Sequence, residues 1–268
     1  MQPFLKWPGG KRRVAARIAE LVGSPSRYIE PFVGAGAVYA LVKETLPEDV
    51  ILADINSDLI ELYRNLRNSP EEMMRVAGSL FHEGTNTPRA YYASRDAFNS
   101  LPDEHVLRSA LFVYLNHHCF NGLVRYNADG EFNVPYGGYK SPTLPEGLMK
   151  EWSDSLQTAK LWLCDFQKTI ESGAKQGAVI YCDPPYLSDS KRTMYGPDKF
   201  GIEDHRRLDE CARRAARYGA LVIISGPYSE RMCEVYASCT YAERITDSTS
   251  ISRGAGRGKR EDALYVYK

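Results

Sequence analysis

No apolar run in this chain approaches the roughly 20 residues that cross a bilayer; GALVII (219–224) is typical, and its length suits a buried strand. The opening stretch MQPFLKWPGGKRR (1–13) lacks an apolar core ahead of a small-residue cleavage site, so no signal peptide is expected. Six cysteines are present without a single C-x-x-C pair. Several fall in apolar runs, where a thiol behaves as a small hydrophobe, so they read as reduced residues of a cytoplasmic protein without structural zinc. Net charge is missing too: 34 Lys and Arg oppose 34 Asp and Glu, which gives no global support to a polyanionic partner. Repeats, low-complexity linkers and nuclease motifs are absent from the sequence.

What is present has the make-up of an ordinary folded protein: 268 residues, 43% hydrophobic and 25% charged, enough for one large domain or two modest ones. Strand-like runs alternate with helix-like runs at both ends. RYIEPF (27–32) and VILADI (50–55) flank a short helix; KLWLCDF (160–166), AVIYCD (178–183), ALVIIS (220–225) and ALYVY (263–267) follow later. Strands separated by helices argue for a parallel sheet covered on both faces. The middle differs. SDLIELYRNLRN (57–68), EEMMRVAGSLF (71–81), RAYYASRDAFNSL (89–101) and HVLRSALFVYLNHH (105–118) carry apolar residues at helical spacing, with Ser57 and Asp58 placed to cap the first. A turn-rich stretch follows, FNGLVRYNADGEFNVPYGGYK (120–140), in which Asn-Ala-Asp-Gly predicts a hairpin turn. The expected organisation is an α/β domain from 1–56 and 160–268, split by a mainly helical insertion at 57–159.

EPFVGAGAVY (30–39) follows the first strand and opens a helix. Gly34 and Gly36 would let the backbone turn tightly and approach a ligand; the same pair would also serve a strand-to-helix turn with no ligand at all. Asp54, at the end of the second strand, is placed to accept from ribose hydroxyls. A dinucleotide fingerprint wants a third glycine where Tyr39 stands, which favours an adenosine cofactor without phosphates, such as S-adenosylmethionine, over a nicotinamide dinucleotide.

VIYCDPPYLSD (179–189) ends an apolar strand on an acid, two prolines and a tyrosine. Ligands of open α/β sheets lie beyond the carboxyl ends of the strands, where Asp183 would stand. Pro184 and Pro185 have no N–H and a fixed φ, so the Pro184 carbonyl is held out as an acceptor. A carboxylate beside a rigid carbonyl forms a two-acceptor fork suited to an NH₂ group, and Tyr186 offers a face on which a conjugated ring can stack. The exocyclic amine of adenine is a poor nucleophile because its lone pair is delocalised. Two acceptors on its hydrogens favour a more tetrahedral nitrogen aimed at an electrophile such as a methyl sulfonium.

FLKWPGGK (4–11), EPFVGAG (30–36), LADIN (52–56), NGLVRYNADGEFNVPYG (121–137) and CDPPY (182–186) together resemble the Dam-type DNA adenine-N6 methyltransferases, in that family's alpha order and over most of the chain. The resemblance implies a Rossmann-like class I methyltransferase sheet with helices on both faces and a helical target-recognition insertion. It implies that Trp7, Lys11, Glu30, Pro31, Phe32, Gly34, Gly36, Asp54, Asp165, Phe166 and Asp183 bind S-adenosylmethionine. Asp183, Pro184, Pro185 and Tyr186 would hold the flipped adenine, with no metal. Lys6, Phe120, Asn121, Leu123, Arg125, Pro135 and Tyr139 would contact double-stranded DNA containing GATC, Phe120 standing where relatives place an intercalating tyrosine. A monomer in solution, bound to nucleoid DNA and to no membrane, is expected.

Taken singly, these residues carry plainer alternatives. Arg125 sits on a polar segment where a solvent-facing arginine is common, Lys6 alone is a surface lysine, and Trp7 could be core rather than a lid on the cofactor's cation. His117 and His118 are expected on the helix surface or against the DNA backbone. SRGAGRGKR (252–260), with four cations and no acid, reads as a solvated loop or a phosphate-facing one. The rival functions are a methyltransferase acting on RNA or a protein amide, and a DNA-binding module that has lost catalysis. The recognition block at 121–137 disfavours the first, and the intact Asp-Pro-Pro-Tyr disfavours the second.

Overall fold

Side chains alternate across a β-strand, so a sheet buried on both faces needs apolar residues at nearly every position. The computed structural model, which describes residues 1–7, 14–186, 200–245 and 261–268, has such strands. β1 (Arg27–Glu30), β2 (Val50–Asp54), β3 (Lys160–Leu163), β4 (Ala178–Cys182), β5 (Leu221–Pro227), β6 (Tyr241–Ile245) and β7 (Asp262–Tyr267) form one sheet in the order β3-β2-β1-β4-β5-β7-β6. The first five are parallel; β7 runs antiparallel to both β5 and β6. The expected parallel sheet therefore closes on an antiparallel edge, and β6 is a strand that sequence patterning overlooks. Its residues alternate half-buried and exposed, and Glu243 and Arg244 give it the polarity of an edge strand.

The helices are α1 (Ala15–Val22), α2 (Ala37–Val42), α3 (Ser57–Asn68), α4 (Pro70–Gly78), α5 (Pro88–Ser100), α6 (Val106–His118), α7 (Glu146–Leu156), α8 (Phe166–Gly173), α9 (Ile202–Arg217) and α10 (Glu230–Val235). Tyr28, Val50, Leu52, Val179, Tyr181, Ile223 and Leu264 face one side of the sheet and pack with α1, α2 and α3. Ile29, Ile51, Ile180, Cys182, Val222 and Ile224 face the other, against Ile170 of α8 and Leu208, Cys211 and Ala215 of α9. The fold is thus α/β with helices on both faces of a Rossmann-like sheet. Between β1 and β4 the strand order reverses direction, which opens a crevice at their carboxyl ends.

The first apolar cluster continues without a break into the helices between β2 and β3. Trp152 of α7 joins the two regions: its ring stacks on Tyr63 at 5.4 Å, meets Phe4 edge-on at 5.8 Å, and its indole N–H donates to the Gln2 carbonyl. Gly36, at φ 64°, leaves the space that this indole fills, and a Cβ there would collide with it. Gly36→Ala is therefore expected to cost about 2–4 kcal/mol through overpacking and left-handed strain, read as a lower melting temperature by calorimetry. Tyr39, where a third glycine would stand, is buried and donates to the Ser155 carbonyl of α7.

The cap of α3 is Asn56, whose side chain accepts from the Leu59 N–H, rather than Ser57 or Asp58. Asp58 is instead buried: Arg108 Nε donates to Oδ1 at 2.7 Å and the Tyr126 hydroxyl to Oδ2 at 2.6 Å. The expected hairpin forms, with Asn127 accepting from the N–H groups of Asp129 and Glu131 and Gly130 at φ 79°. His117 and His118 do not lie on an open helix surface. His118 is buried and stacked on Tyr114 at 4.0 Å, while His117 hydrogen-bonds the Phe4 carbonyl, and burial lowers its pKa to about 4. Cys119, Cys182 and Cys211 are unpaired and buried as small hydrophobes.

Candidate active site and nucleic-acid interface

The crevice collects carboxylates at the strand ends. Glu30 is the last residue of β1, Asp54 the last of β2, and Asp183 directly follows β4. Asp54 is held twice: Oδ2 accepts from the Gly34 N–H and Oδ1 from the Asn56 N–H, both at 3.0 Å. Burial raises its pKa, and those N–H donors pull it back. Glu30, buried and bonded by the Tyr28 hydroxyl at 3.0 Å, is pushed well above the usual carboxylate range by burial. The Tyr28 bond opposes that shift and the Asp183 charge adds to it. Because β1 pairs with β2 on one side and β4 on the other, the strand ends that carry Asp54, Glu30 and Asp183 are neighbours, and the charges of Asp183 and Asp54 both raise the Glu30 pKa.

Around them stand most of the residues expected at a cofactor. The Trp7 indole lies over Gly34, so close that a Cβ on that glycine would come within 2.8 Å of Nε1. Trp7 also packs partly on the first apolar cluster, so it is both core and wall of the crevice. Pro31 is buried in the turn after β1, and Phe32 beyond it stacks on Phe166 at 5.3 Å. Asp165 caps α8 by accepting from the Gln167 N–H and is gripped by Arg207, whose guanidinium also lies over the Phe166 ring at 4.3 Å. Lys11, Gly9, Gly10 and the basic stretch 252–260 lie outside the described residues.

Several neighbours escape sequence reasoning. Arg207 and Phe200 reach the Asp165–Phe166 corner from the start of α9 and the segment just before it, and nothing local to them signals it. Ile55 and Leu163 are 66% and 44% exposed, an apolar surface at the ends of β2 and β3 that a flat ring could cover. The signal for Ile55 was available, since it adjoins Asp54. Ser225 of β5 donates to Asp183 Oδ1 at 3.1 Å; its polarity at the end of an apolar run was visible, but its partner was not.

At the tip of β4, Asp183 is half-buried, Pro184 is buried, and Pro185 and Tyr186 are partly exposed. Among the described residues no group of three His, Cys, Asp or Glu side chains could hold a metal ion. No helix among them is long and apolar enough to cross a membrane.

The residues expected to touch DNA also gather. Lys6 is tied by its backbone to the Asn116 side chain in both directions, at 2.8 Å each way. Its ammonium donates to the His117 carbonyl at 3.0 Å and lies over the Tyr139 ring at 4.1 Å. Phe120, on a one-turn 3-10 helix (Phe120–Gly122), is 51% exposed; its N–H bonds the Pro135 carbonyl, and the Asn121 N–H bonds the Tyr139 hydroxyl. Leu123 is half-buried at the start of the hairpin. Arg125 is braced by Asn133, Nε donating to Oδ1 at 2.7 Å and Nη2 to the carbonyl at 3.0 Å. These residues include an exposed ring, a planar guanidinium and a partly buried ammonium, side-chain types that can wedge into and read a duplex.

Comparison with known proteins agrees with this chemistry. Residues 7–255 match the family model for D12 class N6 adenine-specific DNA methyltransferase. The chain is 38% identical over 258 residues to a DNA adenine methylase of Haemophilus influenzae, covering 94% of this chain and 88% of the relative. It is 36% identical to the DNA adenine methylase of Escherichia coli K12 over 269 residues, 99% of this chain and 95% of the relative. A Serratia marcescens DNA adenine methylase is 34% identical, covering 99% and 98%.

Proposed function

The chain belongs to the D12 class N6 adenine-specific DNA methyltransferases, and from that membership we propose that its methyl donor is S-adenosylmethionine and its target the adenine of GATC in duplex DNA. The observation that carries this reading is the meeting of Asp54, Glu30 and Asp183 at the point where strand order reverses. The described residues suit that cofactor: Asp54 for ribose hydroxyls, Phe32 and Phe166 for the adenine ring, and Trp7 above the glycine loop. Lys11 is carried by the resemblance alone. When bound, S-adenosylmethionine supplies an electrophilic methyl group.

The protein's own part is to expose, hold and polarise the amine. Extrusion of a base costs a few kcal/mol. Stacking on Tyr186 returns about 1–3 kcal/mol, and Phe120 at the vacated gap supports the opened duplex. Asp183 and the Pro184 carbonyl would accept the two amine hydrogens and direct the nitrogen lone pair at the donor's methyl carbon, whose bond to sulfur would break with its electron pair left on sulfur; the nitrogen would then lose one proton to water. The insertion at 57–159 serves target recognition, and 1–56 with 160–268 serves cofactor binding and transfer. The protein works as a monomer in the cytoplasm, on nucleoid DNA.

Labelled S-adenosylmethionine and duplexes with and without GATC test this. Label is expected on adenine N6 of the GATC duplex alone. Equal labelling of other duplexes would remove the GATC assignment, and label only in RNA or protein would remove DNA as the substrate. Arg125→Ala is expected to lose about 1–3 kcal/mol of discrimination between GATC and single-base variants, since base-edge contacts carry specificity and phosphate contacts carry affinity. Competition kinetics on paired duplexes measure it, and an unchanged preference would clear Arg125 of base reading.

A further inference from the structure

Ser225 is 2% exposed, a hydroxyl set in the otherwise apolar strand LVIIS, and a buried hydroxyl needs a partner. The register of β4 and β5 supplies one. Tyr181 pairs with Ile223 and Cys182 with Ile224, so the next step sets Asp183 opposite Ser225. Alternation puts Tyr181, Asp183 and Ser225 on the same face of the sheet, the face covered by α1 and α2.

Three oxygens surround the Ser225 hydroxyl: Asp183 Oδ1 at 3.1 Å, the Cys182 carbonyl at 3.4 Å and the Tyr181 hydroxyl at 2.8 Å. A serine has one proton to give, and the carboxylate is both nearer than the carbonyl and the stronger acceptor. The proton therefore goes to Asp183, and Tyr181 must donate to Ser225. Burial first, and the Asp183 charge second, hold the Tyr181 phenol well above its usual pKa, so it keeps the proton it gives.

We propose that Tyr181 and Ser225 are positioning residues for methyl transfer, a two-hydroxyl relay that fixes the rotation of the Asp183 carboxylate and favours its ionised form. The relay touches neither DNA nor cofactor and acts through Asp183; it rests on Asp183 being an acceptor of the target amine. A hydrogen bond to an ionised carboxylate favours the charged state, so its loss raises the acid's pKa. A purely structural role for Ser225 would lower stability and leave the acidity of Asp183 where it was.

The full-length protein tests this through two readouts. One is the titration of the Asp183 carboxyl followed by carbon-13 NMR, assigned by its disappearance in Asp183→Asn. The other is single-turnover transfer to a GATC duplex as a function of pH. In Ser225→Ala the Asp183 titration is expected to rise by about one pH unit, with the acid limb of transfer moving alongside. The rate at neutral pH is expected to fall about tenfold, in kcat rather than in KM for DNA. Tyr181→Phe shifts both in the same direction by less, and Ser225→Thr, which keeps the hydroxyl, restores both. An Asp183 titration and acid limb unchanged in Ser225→Ala overturn the relay, whatever happens to stability. Should that variant not fold, the Tyr181→Phe titration decides in the same way. A wild-type protein that transfers no methyl while the titration still moves would overturn the proposed function, and with it the part of Tyr181 and Ser225 in transfer, and would leave only their hydrogen-bond control of Asp183 acidity standing.

Discussion

Asp183→Ala is expected to reduce methyl transfer by roughly 10³-fold or more while the protein stays folded. Removing one preorganised group from a site of developing charge costs about 10²–10³ in rate, and Asp183 combines that part with a place in the cofactor crevice. The fold should survive because the residue follows the last paired position of β4 and is only half-buried. Asp183→Asn separates the roles: its amide oxygen still accepts one hydrogen from the amine, but the negative charge is gone. The expected order of rates is wild type, then Asn, then Ala, with circular dichroism and melting temperature nearly equal across the three. Single-turnover transfer near the wild-type rate in the alanine variant would mean that the two-acceptor fork is misassigned.

Asp58→Ala is expected to destabilise the protein by about 3 kcal/mol, because it leaves the buried Arg108 guanidinium only the half-exposed Asp103 carboxylate at 3.4 Å. The loss reaches beyond stability. Asp58 also takes the Tyr126 hydroxyl, and Tyr126 is the neighbour of Arg125 on the recognition hairpin. Loosening Tyr126 should blur the choice of target sequence while leaving cofactor affinity close to wild type. Urea unfolding measures the first effect and competition between duplexes the second. Replacing both partners with apolar residues, Asp58→Leu with Arg108→Leu, should recover much of the stability, since no charge is then left uncompensated. If the single and double variants lose the same amount, the ion pair is not what Asp58 contributes.

The local signals in the sequence served where the physics is local. Alternating apolar strands and helical spacing located six of the seven strands among the described residues and α3 to α6 but not α7, and Asn-Ala-Asp-Gly located the hairpin turn. Two prolines after an acid at a strand end are legible for the same reason, since their constraint on φ does not depend on anything distant. β6 escaped because an edge strand exposed at alternate positions carries too few apolar residues to stand out. Lys6 is legible only through the resemblance, as its aromatic partner Tyr139 lies far along the chain.

By itself, the sequence determined which chemistry this protein has available: a glycine turn beside an acid, a rigid acceptor pair, and a polar hairpin rich in aromatics. Only the tertiary structure decided which residues serve that chemistry from a distance. Register set Ser225 against Asp183, packing drove Trp152 into the space left by Gly36, and burial turned Asp58 from a helix cap into the partner of Arg108. Each of these pairings joins residues about 40 or more positions apart, and contact at such separation depends on which faces meet, something a one-dimensional pattern does not encode.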